Sequence, residues 1–232
     1  IDNGSIAVIT DNPETLGRFI LVKDTYDALL KIASHHHKEV NPRTIAITGS
    51  NGKTTVKEMM GKVLDSKKTI ITKSNENNQF GIPYTILRCT SSTENLVLEC
   101  GARHDGDFQK IAEYFSFDQL IITNINNSHV GIFGSIENII RTKLELAKAV
   151  KKSGNVIEAA FKNLSKNHKL LKESNEIKLY DSNDLNLNTA WFYKCEKDSD
   201  QNDQYQISLN SENTDRQIKF EASIEHDCLN AV

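Results

Sequence analysis

The run TIAITGSNGKTTVKEMM at residues 44–60 puts an apolar β-branched stretch, a glycine turn and a helix-forming stretch in immediate succession. A buried strand that turns sharply into a helix is the repeating unit of a parallel sheet covered by helices. Gly49 and Gly52 permit the tight backbone. The N–H groups of the turn and of the helix start then face one point, which suits an anion. Lys53 adds a point charge there, and Thr54 offers a hydroxyl to Mg²⁺. Gly49, Ser50, Asn51, Gly52, Lys53, Thr54 and Thr55 therefore form a candidate phosphate cradle. The general P-loop pattern asks for another glycine five positions before Gly52, where this chain has Ile47, so the cradle is of a shorter kind.

The rest of the first 150 residues keeps the same rhythm. SIAVIT, RFILV, RTIAIT, KTIIT, NLVLE and QLIIT read as strands, and helical patterns begin near Asp24, Thr54, Gly81, Asp107 and Ser135. The alternation predicts an α/β fold, a mostly parallel sheet flanked by helices. NPR at 41–43 resists helix and marks a plausible domain boundary. Beyond Ser153 the chain turns rich in Asn, Asp, Ser and Lys, with weaker strands in NTAWFYKC, QYQISL and RQIKFEAS. Their alternation predicts antiparallel, half-exposed strands at an edge of the same domain, and EKDSDQNDQ between them reads as a solvated loop.

A net charge of −3 and a pI near 6.2 give no global pull toward nucleic acid or membrane, so any bound anion must be held by a local site. No apolar run approaches the ~20 residues of a membrane span. The first residues carry no signal-peptide pattern, and the expectation is a cytoplasmic protein. Cys89, Cys100, Cys195 and Cys228 are widely spaced, without a C-x-x-C pair, and read as reduced structural thiols.

SIENIIRTKLELAKAV at 135–150 reads as one amphipathic helix. At about 100° per residue, Ile136, Ile139, Ile140, Leu146, Ala147 and Val150 share a face, opposite Glu137, Asn138, Arg141, Glu145 and Lys148. Lys143 falls in the middle of the apolar face, where an unpaired charge is costly. A snorkelling stem is one explanation. A chemical task for the amine is another.

TGSNGKTT after an apolar strand resembles the Mur ligase family, the ATP-dependent amide-forming enzymes of cell-wall synthesis. Other segments extend the likeness in order: NENNQFGIPYTIL at 75–87, LVLECGARHDGD at 96–107, LIITNINNSHVGIFGSIENIIRTKLELA at 120–147, and HDCLNAV at 226–232. Within the family these segments are similar to the branch that joins D-alanyl-D-alanine to a UDP-linked muramoyl tripeptide through an acyl phosphate. The resemblance implies a remnant of a uridine-nucleotide-binding domain at 1–40, a central ATP-binding domain at 41–232 that is divergent over 151–225, and an absent C-terminal ligase domain. Arg103 stands where the branch usually has Asn, and NVIEAAFKN replaces a usual strand ending.

The site residues follow from the same resemblance. It implies ATP and Mg²⁺ as cofactors, with Lys53 and the backbone of 49–55 on the phosphates. Thr54, Glu99, His129 and Lys143 are the implied metal ligands, Lys143 as a carbamate made from CO₂, and Lys53, Lys143 and His129 the implied catalytic residues. Asn124, His226 and Asn230 are implied to contact ATP, and Asn77 and Asn78 the substrate. The implied partners are small molecules, the UDP-linked muramoyl tripeptide and D-alanyl-D-alanine, with no nucleic acid, no membrane insertion and a monomeric chain. A catalytically incomplete nucleotide-binding remnant and a ligase resembling folylpolyglutamate synthase are the alternatives. The three histidines at 35–37 read as a solvated helix end, and the lone Trp191 as core or sheet surface.

Overall fold

The computed structural model describes residues 7–15, 17–125 and 130–158, and beyond them the strands at 178–181, 191–197, 205–211 and 214–222. Strand β3 (Arg43–Thr48) carries the apolar run that opens the glycine turn, and its last five residues are all buried. That is the signature of a strand covered on both faces. Around it lie β4 (Thr69–Ile71), β5 (Asn95–Glu99), β6 (Phe117–Ile122), β7 (Val150–Glu158) and β8 (Lys178–Asp181). They form one six-stranded sheet in the order β4-β5-β3-β6-β7-β8, with every pairing parallel.

Parallel pairing requires crossovers, and from β3 to β7 helices supply them. They are α2 (Lys53–Val63), α3 (Gly81–Leu87), α4 (Gln109–Tyr114), and α5 (Val130–Phe133) with α6 (Ile136–Glu145). The period of two in β3 and β5 divides the core. Ile45, Ile47 and Val97 face Val56, Met60 and Leu64 of α2 and its end. Ala46, Leu96 and Leu98 belong to the larger cluster with Ile82, Ile86, Phe108, Ile111 and Ile139 on the opposite face.

Helix α1 (Thr25–Val40), capped by Asp24 accepting from the Asp27 N–H, contributes Leu30 and Ala33 to that larger cluster. The packing of α1 on this cluster is continuous across NPR at 41–43, which ends the helix. Strands β1 (Val8–Thr10) and β2 (Phe19–Leu21) make a separate parallel pair whose apolar side chains are largely exposed.

Two expectations are corrected. The strands β9 (Trp191–Lys197), β10 (Tyr205–Ser211) and β11 (Thr214–Ala222) are antiparallel as predicted, but they pair among themselves in a three-stranded sheet and do not edge the parallel one. Successive strands joined by short connections pair most readily with each other. The helix expected over 135–150 ends at Glu145, tightens to a 3₁₀ turn over Leu146–Ala149, and gives way to β7 at Val150. No helix among the described residues is long and apolar enough to cross a membrane.

Candidate active site

In this strand order β3 sends its crossover toward β4, while β6 continues on the other side. Ligands of open parallel sheets bind at such a switch point, beyond the carboxyl ends of the strands. The glycine turn leaves β3 there, flanked by Glu99 at the end of β5 and by Thr123 and Asn124 just after β6.

Gly52, left-handed at φ 79°, is the N-cap of α2, and no side chain caps that end. The first-turn N–H groups and the positive end of the helix dipole are thus directed at the turn. Gly49 (φ 152°) lies so close to β6 that a Cβ would stand 1.9 Å from Thr123 Oγ1. The turn is fastened from that side. Thr123 Oγ1 donates to the Asn51 carbonyl at 2.5 Å, and the Ser50 N–H donates to the Asn124 carbonyl at 2.9 Å. Asn124 Oδ1 accepts from the Asn51 N–H at 2.9 Å while its Nδ2 donates to the Asn51 carbonyl at 3.1 Å.

Lys53 folds over the turn, its Nζ donating to the carbonyls of Gly49 (2.9 Å) and Ser50 (3.1 Å). Lys143, on α6, reaches the same Gly49 carbonyl at 3.0 Å. It is buried, at 6% exposure, so its head group does not snorkel to water. Burial, and next the charge of Lys53, push its pKa down to about 8. Burial likewise lowers that of Lys53, against the opposing pull of Glu99. Helix α6 is set by its N-cap, where Ser135 Oγ accepts from the Asn138 N–H at 3.1 Å, and by Asp105, which accepts from Thr142 at 3.0 Å and from Arg141.

Glu99 is the buried carboxylate of the site, at 2% exposure. Its Oε1 accepts from Thr54 Oγ1 at 3.1 Å and from Asn77 Nδ2 at 2.9 Å. Its Oε2 has no hydrogen-bond partner among the described residues and lies 3.7 Å from the ammonium of Lys57. Neighbouring ligands in a Mg²⁺ octahedron of 2.0–2.1 Å bonds stand about 2.9 Å apart, close to the Thr54–Glu99 separation. One carboxylate and one hydroxyl beside a phosphate cradle is also how Mg²⁺ is commonly held, with the nucleotide completing the shell. The donor set fits that ion. No three His, Cys, Asp or Glu side chains gather round one point among the described residues, so a closed protein cage is absent from them.

Asn78 takes a different place from Asn77: its Oδ1 accepts from the N–H groups of Phe80 and Gly81 and so shapes the start of α3. His129, His226 and Asn230 lie outside the described residues. Lys57 and Thr123 are site residues that sequence reasoning missed.

The profile of the Mur ligase middle domain matches residues 47–232. The chain belongs to the Mur ligase family. Among Mur ligases it is similar to the UDP-N-acetylmuramoyl-tripeptide–D-alanyl-D-alanine ligase of Haemophilus influenzae, 34% identical over 175 residues that cover 72% of this chain and 37% of that protein. The same ligase of Bacillus subtilis is 38% identical over 159 residues, 66% of this chain and 35% of that one. The chain thus spans little more than a third of the length of these curated relatives. In fold it is similar to MurF from Acinetobacter baumannii, with a TM-score of 0.76 at 24% identity over 96% of this chain and 48% of that one. The MurF ligase from Thermotoga maritima, solved in complex with ADP, gives a TM-score of 0.75 at 23% identity over 99% of this chain and 52% of that one.

Proposed function

We propose that this chain is the ATP-binding part of a ligase that joins D-alanyl-D-alanine to a UDP-linked muramoyl tripeptide, in the cytoplasm and as a monomer. The observation that carries the reading is the convergence of the uncapped N-terminus of α2, Lys53, the Thr54–Glu99 pair and buried Lys143 on one turn. Relatives that bear this activity by name support the choice of substrates over the folate alternative.

Making an amide from a carboxylate requires activating it as an acyl phosphate, which brings two anions together. The chain's part is to hold the phosphate and screen its charge. Backbone N–H groups of residues 49–55 bind phosphate oxygens, and Lys53 exchanges its carbonyl acceptors for them. Thr54 and Glu99 would hold Mg²⁺, with His129 and carbamylated Lys143 as further ligands. Mg²⁺, when bound, supplies the positive charge that lets the carboxylate approach. Asn124 and Thr123 keep the turn in its binding shape. Asn77 holds Glu99, and through it the substrate segment is tied to the cation site.

Phosphate release from ATP by the complete protein, given the tripeptide nucleotide and D-alanyl-D-alanine, tests the reading. Release that requires both substrates and disappears in Lys53→Ala is expected. Release with folate and glutamate instead would overturn the substrate assignment, and ATP binding without release under any condition would favour a nucleotide-binding remnant.

A further inference from the structure

Lys57 is among the largest fully buried side chains of the described residues, at 1% exposure. Taking an ammonium out of water costs several kcal/mol unless it is paired. Its partners are Glu58 Oε1 at 2.9 Å and Glu99 Oε2 at 3.7 Å. Glu58 is its sequence neighbour and faces solvent, with a side chain 56% exposed; such a contact needs no buried lysine. Glu99 is the partner that explains the burial.

Thr54 and Lys57 are three residues apart on α2, so they lie on one face, a turn apart. They address the two oxygens of one carboxylate: Thr54 takes Oε1 and Lys57 faces Oε2. Asn77 adds a second bond to Oε1 from the loop before α3. The Glu99 head group is therefore oriented from three directions, with one oxygen turned to the hydroxyl of the cation site and the other turned to a fixed positive charge.

We propose that Lys57 is a positioning residue that restricts Glu99 to one-oxygen ligation and so makes the cation site select small octahedral ions over Ca²⁺. Small ions such as Mg²⁺ accept a single carboxylate oxygen at 2.0–2.1 Å, whereas Ca²⁺, with 6–8 ligands at 2.3–2.6 Å, readily takes both oxygens of one carboxylate. An ammonium beside Oε2 repels a cation that would straddle the pair. Lys57 touches neither nucleotide nor substrate in this scheme. It acts through Glu99. The inference rests on the reading above, that Glu99 is a cation ligand.

The test is a Mn²⁺ titration of the chain with ADP, followed by electron paramagnetic resonance, with Mg²⁺ and Ca²⁺ as competitors. Wild type is expected to release Mn²⁺ to Mg²⁺ at far lower concentration than to Ca²⁺. In Lys57→Met the Ca²⁺-to-Mg²⁺ ratio should fall roughly 10-fold, because both oxygens of Glu99 become available. Glu58→Gln should leave the ratio unchanged. If Lys57→Met fails to fold by circular dichroism, Lys57→Gln decides, with a shift in the same direction expected. Glu99→Gln separates the two failures: loss of Mn²⁺ binding there, with an unchanged ratio in the folded Lys57 variant, overturns the inference and leaves the cation reading standing. Retention of Mn²⁺ binding by Glu99→Gln overturns the reading itself, and the inference with it.

Discussion

The ammonium groups of Lys53 and Lys143 share one acceptor, the carbonyl oxygen of Gly49, at 2.9 and 3.0 Å. Burial of the amine, and after it repulsion from the Lys53 cation on the same dipole, lower the pKa of Lys143 to about 8. An amine with that pKa is about one-tenth neutral at pH 7, enough to react with CO₂. Carbamylation would replace the repelled cation with an anion. Chain labelled with ¹³C-bicarbonate is expected to show one carbamate carbon resonance that is missing in Lys143→Met, and the complete protein should lose roughly 100-fold of its phosphate release in that variant. The same resonance in Lys143→Met would remove the assignment.

Asn124 holds both backbone groups of Asn51. At about 1 kcal/mol for each neutral hydrogen bond, their loss should cost the phosphate turn its preorganisation. We expect Asn124→Ala to weaken ATP binding roughly 10-fold in calorimetry while the melting temperature changes little. Unchanged affinity would mean that the turn holds its shape without the clamp.

Gly49 has no room for a methyl group, with Thr123 Oγ1 only 1.9 Å from where a Cβ would sit. Gly49→Ala should destabilise the chain by about 1–3 kcal/mol in urea denaturation, since the turn or β6 must shift. Combining it with Thr123→Ala should recover part of that loss. Strict additivity of the two substitutions would place the strain elsewhere.

His37 is buried against Thr44, its Nε2 at 2.7 Å from Oγ1. The Thr44 hydroxyl donates to the Pro42 carbonyl, so the imidazole must be the donor to Thr44. Burial, and then the charge of Lys151, pull the His37 pKa down to about 4. A base whose folded pKa is depressed takes up its proton more readily when unfolded. Its contribution is complete above pH 6.5 and is lost as the pH falls from 6.5 toward 4, amounting to about 3 kcal/mol. Urea midpoints at pH 7, 5.5 and 4 should drop more steeply for wild type than for His37→Leu. Parallel curves would contradict a neutral buried imidazole.

Strand, turn and helix around Gly49 were legible because each is a local pattern: a β-branched run, two glycines, then good helix formers. Periodicity placed Lys143 on the apolar face of its helix but left open whether its head group snorkels to water, which its burial decides. Lys57 was not recognised, although Lys53, Lys57, Met60 and Leu64 recur at helical spacing and mark one stripe of α2; the lysines disguised an inward face. The histidines at 35–37 misled for the opposite reason. His36 donates to the Cys89 carbonyl and His37 to Thr44, partners 53 and 7 residues away, so only His35 is as solvated as expected. Asn77 and Asn78 are adjacent in sequence and part ways in space, one to Glu99 and the other to the start of α3. No spacing rule carries that difference, because it depends on where β5 ends relative to α3.

The bonds that fasten the glycine turn join residues far apart along the chain: Thr48 to Cys100, 52 positions on, and Asn51 to Asn124, 73 positions on. Parallel strands gain such contacts late, after long connections have closed. A ribosome that has delivered β3 and α2 has delivered every residue of the turn and none of its clamps. On the proposed function, recognition of a nucleotide would therefore be a property of the finished sheet, acquired only when β5 and β6 have docked on either side of β3.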